Sequence, residues 1–292
     1  MQGYAGVPAR FGTYFFRPAL LGDLMHAAQK HGSATADEPA ARARPQSTAQ
    51  PTIDDAEVAQ FDAIAAQWWE PNGKTMALHK FNPVRVAYIC EQVARQYGRD
   101  PKAPDCLKGL RILDLGCGGG ILCESLARLG GTVIGADPAD LTIQVARRHA
   151  ADSGLAIDYR CTTVEDLAAA GERFDVVISM EVIEHVADVP LFIKYCAEIV
   201  KPGGLFMGAT INRTFKAFAF VIVGAEYIVR WIAKGTHQYS KFVTPQELET
   251  ALLNAEMKVI DLKGANYNVL TSAWRLSNDT GVNYMLTASK AT

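Results

Sequence analysis

Two carboxylates and an imidazole lie close together in the second half of the chain. Glu181, Glu184 and His185 have the spacing i, i+3, i+4, so on a helical turn all three side chains would project to one side. They follow the apolar segment 174–179, which predicts a buried strand. Such a set could hold a divalent cation or perform acid–base chemistry. The alternative is a solvated helix start, where acidic residues interact favourably with the helix dipole.

A glycine-rich loop follows a second apolar segment, 111–115. Gly116, Gly118 and Gly120 alternate with other residues, and a helical pattern begins at Ile121. Glycine permits a sharp turn and the close approach of a ligand, and the next helix offers free N–H groups and a positive dipole end. The loop therefore predicts a nucleotide-type ligand, although a tight structural turn uses the same residues.

Acidic residues on either side of the loop narrow the choice of ligand. Asp137 ends the next predicted strand, where a carboxylate can accept hydrogen bonds from both ribose hydroxyls. Asp114 directly precedes the loop, where it favours a cationic amino-acid group over a pyrophosphate. Ile121 occupies the last glycine place of the dinucleotide pattern. The combination favours S-adenosylmethionine over NAD, and an NAD-dependent oxidoreductase is the main rival. Met180 could pack on an adenine ring or fill the core.

Strands and helices alternate around these motifs. Strands are predicted at 111–115, 132–137, 157–161, 174–179 and 205–210, and helices at about 121–129, 141–151 and 189–200. This alternation predicts an α/β, Rossmann-like fold, with a mostly parallel doubly wound sheet and helices on both faces. Further helices are predicted near 58–65, 83–97 and after Thr244, where Pro245 and Glu247 complete an N-terminal cap. Closing strands are predicted at 259–262 and 282–288.

Composition divides the chain into an arm and a domain. Residues 1–52 lack periodicity and predict a disordered arm or a targeting segment, whereas 53–292 predict one globular domain. Within it, an aromatic and basic stretch at about 213–241 predicts a helical insertion. Its part 215–232 could lie on a membrane surface, or could be a lid or a dimer contact.

Charge and cysteine content exclude several classes of protein. Lys and Arg number 29 against 31 Asp and Glu, a formal net charge of −2, which argues against nucleic acid as a partner. Six cysteines without a C-x-x-C pair argue against a zinc site or a disulfide framework. No apolar run approaches the roughly 18 residues that span a bilayer.

Several longer motifs resemble a known family. They are Trp68-Trp69-Glu70, the segment from Leu78 to Arg85 (LHKFNPVR), the loop from Asp114 to Gly120, and the segment from Met180 to Val186 (MEVIEHV). The chain resembles the class I S-adenosylmethionine methyltransferases, and among them the ubiquinone-biosynthesis O-methyltransferases, over about residues 56–289. Trp68, Trp69 and His79 could close the cofactor pocket or belong to the core.

The resemblance implies a set of site residues. Together with the loop argument, it assigns the S-adenosylmethionine site to Arg85, Asp114, Gly116, Gly118, Asp137 and Met180. It assigns a divalent cation, Mg²⁺, to Glu181, Glu184 and His185, which are also the predicted catalytic residues.

The resemblance also implies a substrate and a location. The family methylates a catechol-type hydroxyl on polyprenylated ubiquinone precursors, and both O-methylation steps are compatible with the sequence. It implies a peripheral position on the inner membrane, on the cytoplasmic face in a bacterium or the matrix face in a mitochondrion. Other quinone-biosynthesis enzymes are expected partners. A small-molecule catechol O-methyltransferase and a non-catalytic scaffold are the alternatives.

Either a metal or His185 could activate the substrate hydroxyl. A metal would favour the phenolate and orient both catechol oxygens, and in its absence His185 could be the general base. In the metal version, a chelator abolishes turnover and leaves S-adenosylmethionine binding intact.

Overall fold

The computed structural model describes residues 52–70, 73–218, 239–268 and 273–292. Within these ranges one sheet of eight strands organises the chain. The strands are β1 (Arg111–Leu115), β2 (Thr132–Asp137), β3 (Asp158–Cys161), β4 (Phe174–Met180), β5 (Val200–Ile211), β6 (Met257–Asn268), β7 (Ala273–Ser277) and β8 (Asn283–Lys290).

The strand order across the sheet is β3-β2-β1-β4-β5-β8-β6-β7. Strands β1 to β5 pair in parallel, and β8, β6 and β7 add an antiparallel edge. The doubly wound, mostly parallel sheet predicted from the sequence is therefore confirmed. The order reverses between β1 and β4, and the crevice at such a switch point is where open α/β sheets bind ligands.

Both faces of the sheet are buried. In β1, Ile112 belongs to one core cluster and its neighbour Leu113 to the other. In β4, Ile178 and Val177 divide between the clusters in the same way. Successive side chains of a strand point to opposite faces, so a strand covered on both sides is continuously apolar. This explains the uninterrupted apolar segments of the sequence.

Seven α-helices of six or more residues in the described part of the chain cover the sheet and its edge. They are α1 (Asp55–Asp62), α2 (Met76–Tyr97), α3 (Ile121–Arg128), α4 (Asp140–Asp152), α5 (Val164–Ala169), α6 (Val189–Ile199) and α7 (Pro245–Asn254). The capping box predicted at the start of α7 is present, since Thr244 and Glu247 each accept a hydrogen bond from the other's backbone N–H.

Helix α2 begins earlier than its sequence pattern indicates. The prediction placed its start near Pro83, but the helix begins at Met76 and continues through the proline. An interior proline removes one backbone hydrogen bond and disfavours the preceding turn. Phe81 in that turn is buried in the core, and we attribute the continuation to this packing. The helix ends at Gly98, whose φ of +65° forms a left-handed cap.

The outer edge of the sheet was predicted only in part. Strand β7 was not predicted, and β6 extends well beyond 259–262. Much of β6 and β7 is only partly buried, so the apolar signal is weak there, and their pairing depends on each other and on β8.

Two predictions fall mostly outside the described residues. The arm is represented only by Thr52, and the insertion only by 213–218 and 239–241. Thr214 caps a single turn, Phe215–Ala217, and a second turn, Tyr239–Lys241, leads back to the domain. Among the described helices, none combines the length and the apolar character needed to cross a bilayer.

Candidate active site

A cavity opens at the carboxyl ends of β1 and β4, where the strand order reverses. Its walls come from the glycine loop, from α1 and the chain before it, and from the segment after β4. Eight of the nine predicted site residues line it: Arg85, Asp114, Gly116, Gly118, Asp137, Met180, Glu181 and His185. The ninth, Glu184, does not.

The glycine loop is held against a tryptophan. Gly118 has a φ of +52°, and a Cβ atom there would lie 2.2 Å from Cη2 of Trp68. Gly116 has a φ of +68°, and a Cβ there would lie 2.3 Å from Cγ2 of Val182. Left-handed backbone and this close approach both require glycine. Trp68 also lines the cavity, as expected if it closes the pocket.

The second tryptophan of the pair fixes the loop from outside. The indole N–H of Trp69 donates to the carbonyl oxygen of Gly119 at 2.8 Å. Its ring stacks on His149, with centroids 3.4 Å apart and an interplanar angle of 3°. His79 contacts the carbonyl oxygen of Trp68 through Nε2 at 2.8 Å. The Trp-Trp motif therefore ties the chain before α2 to the glycine loop.

Asp137 stabilises the glycine loop through hydrogen bonds. Its Oδ2 accepts from the backbone N–H of Gly118 at 3.0 Å, and its Oδ1 accepts from that of Ala139 at 2.9 Å. A carboxylate oxygen can accept more than one hydrogen bond. The predicted binding of ribose hydroxyls by Asp137 is therefore compatible with its hydrogen bonds to the loop.

Asp114 lies at the floor of the cavity and is almost completely buried. Burial raises the pKa of its carboxyl group to about 6, and the hydrogen bond from the Cys123 thiol, at 3.2 Å, opposes the rise. A positively charged ligand group beside Asp114 would favour the ionised form.

Glu181 and Glu184 take different partners. Glu181 follows β4 with a φ of +57°, and its Oε2 accepts from Nη1 of Arg85 at 3.0 Å. Burial raises the pKa of Glu181 to about 7; Arg85 opposes this rise and Glu184 adds to it. Glu184 is buried, and its Oε2 accepts from the hydroxyl of Thr210 at 2.7 Å.

His185 is held by a residue that the sequence analysis did not assign to the site. Its Nδ1 lies 3.1 Å from Oε2 of Glu57 on α1. Burial lowers the pKa of His185, but the hydrogen bond to Glu57 and the charge of Glu184 outweigh it, so the pKa is raised. The hydrogen bond from His185 lowers the pKa of Glu57 to about 2 against the effect of burial, and Lys241 contributes further.

The expectation that the acid–histidine set shares one helical turn is wrong. The turn after β4 covers only Ile183–His185, and the left-handed backbone at Glu181 directs that residue elsewhere. Among the described residues, no group of three or more His, Cys, Asp and Glu is arranged to hold a metal ion. Because the three side chains have separate protein partners, they do not fit a three-ligand Mg²⁺ site in this conformation.

The cavity does fit a zwitterionic cofactor. Two buried donors that line it, Nε of Arg85 and Nε1 of Trp68, have no hydrogen-bond partner, and neither does Oε1 of Glu181. Unpaired buried donors and acceptors are costly and call for a partner. The carboxylate of an amino-acid moiety would supply the missing acceptor, and its ammonium group would supply the missing donor.

Some residues around the cavity were missed from the sequence. The sequence analysis assigned no role to Glu57 or Lys241, although Glu57 lines the cavity and Lys241 contacts Glu57. Thr52 was assigned to the arm, yet it is buried, its N–H donates to Glu165, and its carbonyl oxygen accepts from the N–H of Ala187 at 2.8 Å. Contacts between such distant positions leave no local pattern.

Similarity to named proteins decides the family. A family model described as a methyltransferase domain matches residues 113–208. The ubiquinone biosynthesis O-methyltransferase of Brucella anthropi is 58% identical over 243 residues, which are 83% of this chain and 98% of the relative. The protein of the same name from Mesorhizobium japonicum is 56% identical over 239 residues, 82% of this chain and 96% of the relative. This chain belongs to the ubiquinone biosynthesis O-methyltransferase family.

Solved structures agree on the fold. Magnesium protoporphyrin IX methyltransferase from Synechocystis PCC 6803, solved with bound S-adenosylmethionine, aligns with a TM-score of 0.54 at 15% identity, covering 83% of this chain and 100% of that one. The plantazolicin methyltransferase BpumL aligns with a TM-score of 0.55 at 13% identity, covering 82% and 99%.

Family membership confirms several expectations. The chain is an enzyme, an S-adenosylmethionine-dependent O-methyltransferase with the class I fold. The rival assignment to an NAD-dependent oxidoreductase is not favoured. The roles of individual site residues stay predictions.

Proposed function

We propose that this O-methyltransferase methylates a catechol-type hydroxyl on a polyprenylated ubiquinone precursor, with His185 as the proton acceptor. One observation carries the proposal: His185, paired through Nδ1 with Glu57, lines the same cavity as the glycine loop and Asp137. The proposed proton acceptor and the glycine loop that would hold the cofactor therefore line one cavity. Both O-methylation steps of the pathway are compatible with this arrangement.

The chemistry requires alignment and removal of a proton. S-adenosylmethionine supplies an electrophilic methyl group on a sulfonium sulfur. A phenolic hydroxyl has a pKa near 10 and is mostly protonated at pH 7. In the proposed step, His185 accepts the hydroxyl proton as the oxygen attacks the methyl carbon and the carbon–sulfur bond breaks. Cavity walls that hold the reacting groups in line can lower the activation free energy by about 7–11 kcal/mol in favourable cases.

The remaining site residues hold the cofactor in this proposal. Arg85 would bind its carboxylate, Asp114 its ammonium group, and Asp137 its ribose hydroxyls. Met180, which is buried beside the cavity, would contact the adenine. Gly116 and Gly118 allow the loop backbone to approach the ligand.

Product analysis tests the proposal directly. The full chain is incubated with S-adenosylmethionine carrying a labelled methyl group and with a polyprenyl catechol, and products are identified by mass spectrometry. We expect one labelled methoxy group per ring. Equal turnover of a catechol without a tail would favour the small-molecule alternative. Binding of S-adenosylmethionine in calorimetry, without any methylated product, would favour the scaffold.

The proposed reaction uses no Mg²⁺, because the three side chains implied by the resemblance do not form a cation site in this conformation. Assaying turnover in the presence of a chelator tests whether the reaction needs a divalent cation. Unchanged turnover is expected from the geometry described above. Loss of turnover, with unchanged affinity for S-adenosylmethionine, would mean that substrate binding rearranges Glu181, Glu184 and His185 into a site.

The membrane is the expected source of so apolar a substrate. We propose a peripheral position on the inner membrane, on its cytoplasmic or matrix face, with the segment 215–232 at the lipid surface. Phe215, in the described part of that segment, is 81% exposed. Flotation of the full chain with liposomes, compared with a variant lacking 215–232, tests this. Co-purification tests the expected association with other quinone-biosynthesis enzymes.

A further inference from the structure

Helix α1 presents two side chains to His185. Glu57 accepts from Nδ1 of the imidazole at 3.1 Å, and the ring of Phe61 meets the imidazole edge-on, with centroids 5.4 Å apart and an interplanar angle of 87°. Residues four apart lie on the same face of a helix. One face of α1 therefore controls both the hydrogen bonding of the imidazole and the plane of its ring.

The other oxygen of Glu57 is fixed as well. Lys241 donates from Nζ to Oε1 of Glu57 at 2.9 Å and to Oδ2 of Asp54 at 3.0 Å. The side chains of Glu57 and His185 are only 10% and 12% exposed, so water competes little for these contacts. With each oxygen on a separate donor, the carboxylate has one defined orientation.

We propose that Glu57 is a positioning residue for methyl transfer, holding His185 in the tautomer that has the proton on Nδ1 and the basic lone pair on Nε2. The physical reason lies in the tautomer. A carboxylate only accepts hydrogen bonds, so its partner Nδ1 must carry the proton, and the lone pair then resides on Nε2. The inference rests on the proposed role of His185 as proton acceptor.

A glutamine at this position cannot reproduce the arrangement. The cationic Lys241 is the stronger donor, so it would take the amide oxygen of the glutamine. The amide NH₂ would then face Nδ1 and stabilise the tautomer with the proton on Nε2. An amide that leaves the fold intact but imposes the wrong tautomer is known to remove most of the activity in a comparable carboxylate–histidine pair.

The first experiment compares Glu57→Gln with Asp54→Asn in the full chain. Both variants remove one carboxylate from Lys241, but only the first changes the partner of His185. For Glu57→Gln we expect kcat to fall about 10- to 100-fold, at or below the lower limit of the roughly 10²- to 10⁴-fold contribution of acid–base catalysis, because the imidazole itself is still present. We expect the KM values for both substrates to change less than about threefold. For Asp54→Asn we expect kcat within about twofold of wild type, since asparagine still caps α1.

A double-mutant cycle with His185→Ala separates positioning from a general structural effect. If Glu57 acts through the imidazole, Glu57→Gln should have little further effect on kcat once His185 is absent. An equal fall of kcat in both backgrounds would overturn the inference. A wild-type kcat for His185→Ala would overturn the proton-acceptor role of His185. The cycle therefore distinguishes a failure of the proposed function from a failure of the inference about Glu57.

A rescue experiment tests the tautomer argument. Without Lys241 the amide of Gln can turn its oxygen toward Nδ1, so adding Lys241→Met to Glu57→Gln should raise kcat several-fold above that of Glu57→Gln alone. Lys241→Met by itself provides the reference. No recovery, together with a raised KM for S-adenosylmethionine in Glu57→Gln, would mean that Glu57 only closes the pocket.

Discussion

Replacing Gly118 by alanine tests whether Trp68 lies on the glycine loop as described. The new Cβ would carry two separate costs. A non-glycine residue at a φ of +52° costs about 1–2 kcal/mol. The approach to Cη2 of Trp68 at 2.2 Å adds about 1–3 kcal/mol of overpacking. We therefore expect the free energy of unfolding to fall by about 2–5 kcal/mol.

The indole cannot move aside easily. The carbonyl oxygen of Trp68 accepts from the hydroxyl of Thr75 at 2.9 Å and contacts His79. Its side chain packs in a cluster with Ala65 and Ile121. Relief of the clash therefore requires movement of the glycine loop itself, and we expect the affinity for S-adenosylmethionine to fall together with the stability.

Gly171→Ala is the matched control. Gly171 has a φ of +71°, but a Cβ there would have no neighbour within 4 Å, so only the backbone cost of about 1–2 kcal/mol applies. Denaturant titration gives the loss of unfolding free energy for each variant, and the difference between the two losses is the cost of the contact with Trp68. Adding Trp68→Leu should restore part of the loss for Gly118→Ala and none for Gly171→Ala. Equal destabilisation by the two alanines would refute the described packing.

Three further predictions concern the surroundings of the site and the fold. Trp69→Phe removes the donor to the Gly119 carbonyl oxygen and should lower the free energy of unfolding, measured by denaturant titration, by about 1 kcal/mol. An unchanged denaturation midpoint would contradict the hydrogen bond between Trp69 and Gly119. For Asp114, the folded pKa of about 6 exceeds the ordinary 3.8, so its contribution to stability is greatest below pH 3.8 and declines as pH rises to 6. Relative to wild type, Asp114→Asn should therefore gain about 2 kcal/mol of unfolding free energy between pH 4 and pH 7. A difference that does not depend on pH would argue against a buried, partly protonated carboxyl group. Thr244→Ala breaks the capping box of α7 and should cost about 1 kcal/mol in thermal unfolding, with no change in the affinity for S-adenosylmethionine.

Short-range features of the chain were predictable from the sequence. The glycine loop, Asp137 at the end of β2 and the cap at Thr244 each depend on a few neighbouring residues and on backbone geometry that glycine, proline or a capping side chain imposes locally. The alternation of apolar strands with helices was equally informative, because burial on both faces of a sheet requires continuous apolar strands. These local rules were sufficient for the class of fold and for the eight of nine predicted site residues that line the cavity.

The sequence by itself therefore determined the class of fold and the chemistry available at the carboxyl edge of the sheet. Only the tertiary structure decided which side chains act together. Glu57 and His185 are 128 positions apart, and Arg85 and Glu181 are 96 apart, so no spacing rule connects them. The i, i+3, i+4 pattern suggested a shared turn, but the left-handed backbone of Glu181 and the competing partners Arg85 and Thr210 separate the three side chains. Local spacing limits where a side chain can point, whereas its partner is selected by the segments that packing brings beside it.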